Sequence, residues 1–284
     1  MNHILPYIPK HTTYVEAYCG AASLLFAKPP SSVEVLNDLN QEIINFFRVL
    51  QNSETAEKFA ERVVWTPYSS DEFIKAIENT SEDPVDRAWA WFVRQNQVFA
   101  GGSKPPARGS WGKVITSTAR GMAESTASWR GRLKLLGWWH DRLTQVQLDS
   151  RDALEVIRYW DKPGTFFYLD PPYVPTTRKY GRYQKEMTNA DHARLVQILL
   201  GIKGTAILSG YMGQVYQPLI DAGWYRVDIP TVAHSISHAR TSESYFTEEP
   251  EGKNRVETLL IKLRPTPSPD ELTSSPPKEP GGPE

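Results

Sequence analysis

Short apolar runs alternate with amphipathic stretches at both ends of the chain, and a middle third with a different rhythm separates them. Thr13-Tyr14-Val15-Glu16-Ala17-Tyr18 and Val33-Glu34-Val35-Leu36-Asn37-Asp38 have the length and apolar content of short strands. Between them, Cys19-Gly20-Ala21-Ala22-Ser23 reads as a turn of small residues that opens a helix at Leu24, Leu25 and Phe26. Ile43, Ile44, Phe47 and Leu50 then repeat at helical spacing. From Asn52 to about Trp139 the strand signal is lost. Phe59, Val63, Phe73, Ile77, Trp89, Phe92 and Val93 predict amphipathic helices, interrupted by Gly101-Gly102-Ser103-Lys104-Pro105-Pro106. Leu133, Leu136, Trp138 and Leu143 mark a helix returning to the sheet, followed by a strand over 146–149 and a helix through Val156 and Ile157. Later come a helix over 188–200 with Leu195, Ile198 and Leu199 inward, a strand over 205–209, and a helix over 215–222 stopped by Gly223. Residues 225–229 and 256–263 alternate as a closing antiparallel hairpin should. The pattern predicts an α/β fold in two sequence segments, 1–51 and 143–264, with an inserted mainly helical domain over 52–142 and a disordered Pro- and Ser-rich tail over 265–284.

One stretch carries more chemistry than its neighbours. Phe166-Phe167-Tyr168-Leu169 has the length and aromatic content of a buried parallel strand, and Asp170-Pro171-Pro172-Tyr173 follows it directly. Two prolines cannot extend a sheet ladder, so the strand must stop and turn outward there. That brings a carboxylate, backbone carbonyls and an aromatic ring to a strand's carboxyl end, where open α/β sheets bind ligands. Asp-Pro-Pro also occurs as plain loop punctuation, so the neighbouring segments must decide.

Those segments point to a ligand containing a nucleotide. The small-residue turn after the first strand lets backbone N–H groups and a helix N-terminus approach a ligand. Asp38 ends the next strand about 20 residues on, where a dinucleotide-binding unit places the carboxylate for a ribose hydroxyl pair. Asp38 can equally cap the following helix, and Asp152, which could meet an adenine amino group, can equally cap the helix after it.

Charge adds a polyanion. The chain of 284 residues has a formal net charge of −1, but Gly101 to Arg142 holds eight basic residues against Glu124 and Asp141, a net of +6. Asn96, Gln95 and Gln97, with Lys104, Arg108, Lys113, Arg120, Arg130 and Arg132, are candidates for phosphates and base edges; a solvated loop is the plain alternative. Trp111 and Trp129 fit helix packing as well as base stacking. Arg178, Lys179, Arg182 and Lys185, with Tyr180 and Tyr183, form a basic aromatic loop that reads as a flexible cover for a nucleic-acid substrate. His192 reads as a surface or capping residue. His234 and His238 lack ligand partners at metal-site spacing, so no metal is expected.

A single cysteine, Cys19, excludes an internal disulfide and suits a reducing compartment. No run approaches membrane-span length and no signal-peptide pattern opens the chain, so a cytoplasmic protein without a membrane partner is expected.

The motifs in this order resemble the D12 class of adenine-specific DNA methyltransferases, which includes Dam-like and many phage enzymes. The resemblance rests on Tyr14 to Ser23, on Asn37-Asp38-Leu39-Asn40, and on Phe167-Tyr168-Leu169-Asp170-Pro171-Pro172-Tyr173. Glu186-Met187-Thr188 with Asp191-His192, Leu208-Ser209-Gly210-Tyr211 and Arg255-Val256-Glu257 also look like the family. It implies a Rossmann-like sheet that uses S-adenosylmethionine to methylate adenine N6 in double-stranded DNA. It also implies that Glu16, Ala17, Tyr18, Cys19, Gly20, Ala21 and Ala22 hold the methionine portion of the cofactor. Asp38 and Leu39 would lie at its ribose, Asp152 near its adenine, and Asp170 beside it. Asp170 and the Pro171 carbonyl would accept from the amine of a flipped adenine, with Pro172 shaping the turn and Tyr173 stacking on the base. The insertion corresponds to a target recognition domain, and a monomer of phage or restriction-modification type, with no catalytic role for Cys19, is expected.

The sequence departs from the family in three places. The Pro-Phe pair before the turn is Ala17-Tyr18, the second glycine is Ala22, and no aromatic and Gly-Gly-Lys segment precedes the first strand. The last departure puts cofactor affinity in question and predicts a truncated start, a substitute lysine such as Lys10, or an impaired protein. The alternatives are therefore methylation of RNA adenine or another planar amine, and a catalytically impaired DNA-binding relative.

Overall fold

The computed structural model describes residues 3–99, 107–114, 116–172, 187–211, 213–231 and 255–262. In chain order the first elements are β1 (Thr13–Glu16), α1 (Ser23–Ala27), β2 (Val33–Asn37) and α2 (Gln41–Gln51). The middle third holds α3 (Ser53–Val64), α4 (Ser70–Ile77), α5 (Pro84–Gln97), a small ribbon of β3 (Thr118–Ala119) and β4 (Met122–Ala123), then α6 (Glu124–Leu133) and α7 (Leu136–Leu143). The remainder is β5 (Gln147–Asp149), α8 (Ala153–Trp160), β6 (Thr165–Leu169), α9 (Asn189–Gly201), β7 (Thr205–Gly210), α10 (Gln217–Asp221), β8 (Tyr225–Thr231) and β9 (Arg255–Lys262).

Seven strands form one sheet in the order β5-β2-β1-β6-β7-β9-β8. The first five are parallel, whereas β9 runs antiparallel to both β7 and β8. Side chains alternate between two covered faces. Tyr14, Leu36, Phe166, Tyr168, Ile207, Leu259 and Ile261 enter one cluster with α2, α3, α5, α6 and α7. Val15, Val35, Phe167, Leu169, Ala206, Leu208 and Leu260 enter a second cluster with α8, α9 and α10. Every residue of β6 is buried, as the apolar run predicts for a strand paired on both edges and covered on both faces.

The helices of the middle third share the first cluster: Phe59, Val63, Trp89, Phe92 and Trp129 pack in it with Phe46 and Phe47 of α2 and with the sheet residues Tyr14 and Tyr168. Two sequence expectations change here. Trp138 is not inward; it is 47 % exposed, while Trp139 packs against the core. Leu136, Trp139 and Leu143 are spaced i, i+3, i+7 and share the buried face of α7, which turns Trp138 away from the core. The β3–β4 ribbon is too short to leave a periodic signal. Its turn, Arg120-Gly121, is left-handed at both residues (φ 54° and 74°), as a tight two-residue hairpin requires.

A buried ionic cluster ties the middle third to the sheet. Glu34 of β2 accepts from Arg142 of α7 at 2.5 and 2.8 Å, from Lys28 at 2.5 Å and from the Ser31 N–H at 3.0 Å. All three charged side chains are nearly inaccessible. Burial alone would raise the Glu34 carboxyl, yet the hydrogen bonds from Arg142, Lys28 and Ser31 hold it below its ordinary value. Removing one member leaves an uncompensated buried charge. Arg142→Leu is expected to lower unfolding free energy by about 3–5 kcal/mol in urea titration, with Glu34→Gln in the same background recovering part of the loss.

Candidate active site

β1 and β6 lie side by side, with Glu16 opposite Tyr168, yet the chain leaves them in opposite directions, toward β2 on one side and β7 on the other. Such a topological switch point opens a crevice outside the strands' carboxyl ends. A cavity of about 540 Å³ occupies it.

The turn after β1 forms the floor. Cys19 N–H donates to the Asn37 carbonyl at 2.9 Å, and Gly20 and Ala22 are both left-handed, at φ 47° and 51°. Alanine adopts that conformation at a cost of the order of 1 kcal/mol, which a surrounding core must offset. Ala22 is fully buried and is not part of the cavity wall, unlike Glu16, Ala17, Tyr18, Cys19, Gly20 and Ala21. Its part at the site is conformational.

Asp38 accepts from the Gly20 N–H at 3.0 Å and the Asn40 N–H at 2.8 Å, while Asn40, not Asp38, caps α2 through the Glu42 N–H. Burial raises the Asp38 carboxyl above its ordinary value, against those two bonds. Asp152 caps α8 through the Leu154 N–H at 2.8 Å and also lines the cavity, so capping and lining coexist. Leu39, 47 % exposed, lines it as well.

Glu16 is the most constrained group. Its Oε1 accepts from the Tyr14 hydroxyl at 2.5 Å and the Leu25 N–H at 2.7 Å; its Oε2 takes no hydrogen bond among the described residues. Burial first, with a contribution from the Asp170 charge, raises its carboxyl to about 7 against the opposing effect of those hydrogen bonds and Lys28. Asp170 and Pro172 line the cavity from the end of β6, whereas Pro171 is buried. Tyr173 lies outside the described residues. Cys19 is buried and its thiol is pushed well up by that burial, so it offers no thiolate.

Several lining residues escaped sequence reasoning. The Asn37 amide clamps three strand ends: it donates to the carbonyls of Ala17 and Arg151 and accepts from the Arg151 N–H. Asp191 forms a capping box with Thr188 and an ion pair with Arg194, and these bonds pull its carboxyl down to about 2. Arg194 brings a cation to the wall, legible only as an i,i+3 partner of Asp191. His192 is corrected from surface to core: it is fully buried and its Nδ1 meets the Tyr216 hydroxyl at 2.8 Å.

The basic candidates do not form one arm. A groove of about 710 Å³ between α1 and α2 on one side and α5 and α7 on the other shares Gly20, Ala21, Ser23, Asn40 and Ile43 with the cavity. Asn96, Gln95 and Arg132 line this groove. Arg130, two residues from Arg132 on α6, instead lines a separate depression with Tyr68 and Lys134. Lys113 and Arg120 are exposed. Gln97 is corrected: it is fully buried and spent on Ser69, Pro67 and Trp111, so no base can reach it. Trp129 is likewise a packing residue, donating to the Thr66 carbonyl. Lys104, Arg178, Lys179, Arg182 and the side chain of Arg108 lie outside the described residues, as do Lys185, Tyr180, Tyr183, His234, His238 and the tail. Among the described residues no group of His, Cys, Asp or Glu is arranged to hold a metal ion, and no helix is long and apolar enough to cross a membrane.

A mostly parallel α/β sheet with an acid-lined crevice at its switch point defines a protein consistent with the methyltransferase fold. The chain belongs to the D12 class N6 adenine-specific DNA methyltransferase family, whose model matches residues 1–106 and 112–217, and membership implies DNA adenine methylation. No curated protein matches the chain.

The Glu16 carboxyl gives a stability signature. A folded value near 7 against an ordinary 4.5 means that the folded state binds the proton more tightly, so stability falls as pH rises between those values. Relative to Glu16→Gln, the wild type is expected to lose about 3 kcal/mol between pH 4.5 and pH 7, read by urea titration across that interval.

Proposed function

We propose that the protein transfers a methyl group from S-adenosylmethionine to the exocyclic amine of an adenine flipped out of duplex DNA. The observation that carries this reading is the meeting of Asp170 and Pro172 with Glu16 to Ala21, Asp38 and Asp152 on one cavity at the β1–β6 switch point, in a chain of this family.

The residues fit the cofactor's chemistry. Asp38 and Asp152 are acceptors for hydroxyl and amine donors, Leu39 and Ile43 add apolar wall, and the Glu16 Oε2 is available to an ammonium group. When bound, the cofactor supplies an electrophilic methyl group on a sulfonium. Asp170 and the Pro171 carbonyl accept from the adenine amine, which draws its lone pair out of ring conjugation, and Tyr173 stacks on the base. An aromatic amine is a weak nucleophile, so orientation and electrostatics supply the acceleration, and no covalent enzyme intermediate is required.

Residues 1–51 and 143–264 form the catalytic domain in this reading, and 52–142 form the target recognition domain on the core they share. Flipping a base costs a few kcal/mol, which phosphate and groove contacts must supply. Arg132 and Asn96 in the groove that adjoins the cavity are the best placed for them, with Lys113 and Arg120 from the β3–β4 side. Arg108, Lys104, Arg178, Lys179 and Arg182 are retained as further contacts.

Labelled S-adenosylmethionine and duplex DNA test the reading directly: label in DNA at adenine N6 is expected, and no transfer, or transfer to RNA alone, overturns it. Asp170→Ala is expected to reduce transfer by at least about 10²–10³-fold while leaving DNA affinity largely intact. Arg132→Gln should weaken DNA binding and lower the salt slope by about one, and by more than Arg130→Gln does. Equal effects of the two substitutions would refute the division of the basic face.

A further inference from the structure

The buried ionic cluster and the cavity are joined by one side chain. Tyr14 is fully buried on β1 and points to the same face as Glu16, two residues on. Its ring carries the Lys28 Nζ at 4.3 Å from the centroid, and Lys28 donates to Glu34, which Arg142 of α7 holds from the other side. Its hydroxyl donates to the Glu16 Oε1 at 2.5 Å. The line therefore runs from α7 through β2, the end of α1 and β1 to the cavity wall.

We propose that Tyr14 is a positioning residue: its hydroxyl, with the Leu25 N–H, engages one oxygen of Glu16 and leaves the other turned to the cavity for a cationic group of the bound ligand. The proposal rests on the cofactor assignment above for the identity of that ligand, an ammonium-bearing molecule, and on geometry alone for the part Tyr14 plays.

A carboxylate in this position must keep its charge to serve, and burial works against it. Among the described residues, the groups facing Glu16 are Tyr14 on its own strand, the Leu25 N–H and Lys28 from α1 and its end, Cys19 from the turn, and Tyr168 and Asp170 from β6. Lys28 and the two hydrogen bonds favour the ionised form; burial and Asp170 oppose it. Burial keeps the Tyr14 hydroxyl protonated far above neutrality, so it remains a donor throughout the working range. Removing this donor leaves the Leu25 N–H as the carboxylate's one hydrogen-bond donor among the described residues, and protonation then competes at higher pH.

Tyr14→Phe keeps the ring and its contact with Lys28, so the core is expected to persist. Two measurements decide the case. The titration of Glu16, followed by carboxyl carbon NMR without ligand, should move up by about one pH unit, the equivalent of one lost hydrogen bond to a charged group. The affinity for S-adenosylmethionine, by calorimetry from about pH 6 to about pH 9, should fall roughly fivefold at about pH 7, approach a roughly tenfold loss near pH 6 and recover at the alkaline end; Glu16→Gln should give weak, pH-independent binding. An unchanged Glu16 midpoint overturns the proposal, and so does an affinity loss equal at every pH, which is the mark of simple packing damage. If the wild type binds no S-adenosylmethionine, the functional reading fails, and the midpoint shift still decides whether Tyr14 positions Glu16.

Discussion

The pairing of β1 with β6 is the constraint on which the rest depends. About 150 residues separate the partners Thr13 and Thr165 along the chain, and their register sets Glu16 against Tyr168 at the top of the sheet. Because the chain departs from these two strands in opposite directions, a crevice opens between them at their carboxyl ends. The small-residue turn, the Asp-Pro-Pro segment, Asp38 after β2 and Asp152 at the start of α8 meet there only because these two strands are neighbours.

The rim of that gap shows how a polar crevice is kept open beside an apolar core. Nearly every charged or amide group at the strand ends serves the backbone: Asn37 clamps β1, β2 and β5, Asp38 bridges Gly20 and Asn40, Asp152 caps α8, and Thr188 with Asp191 caps α9. These bonds satisfy donors that would otherwise be stranded at strand and helix ends. Glu16 differs, since one of its carboxylate oxygens accepts two hydrogen bonds from the protein and the residue also lines the cavity. A buried, half-satisfied acid is costly for stability, and such costs concentrate where ligands supply the missing partner.

Much of the sheet was legible because the parallel strands alternate cleanly between two covered faces, and because Pro171 and Pro172 forbid extension of β6. Helix starts at Asn40, Asn52, Asp83 and Thr188 carry their capping side chains in the sequence. The middle third was harder to read. Trp139 rather than Trp138 shares the buried face of Leu136 and Leu143, Arg130 and Arg132 face different grooves, and Gln97 turns from a candidate base reader into a buried hydrogen-bond hub. Periodicity reports which residues share a face of one helix; it is silent on which groove or partner that face meets.

By itself the sequence determined the elements, the ends of the central strands and the chemical kinds of group that stand there, since those follow from local sterics, capping and the two-residue period of a strand. Only the tertiary structure decided which groups are free to act. Whether an acid caps a helix, bridges a turn or faces a cavity depends on donors that lie far along the chain, as Asp38 depends on Gly20, Glu34 on Arg142 and Asn37 on Arg151. Those pairings are fixed by strand order and by the shared core, and no spacing along one segment encodes them.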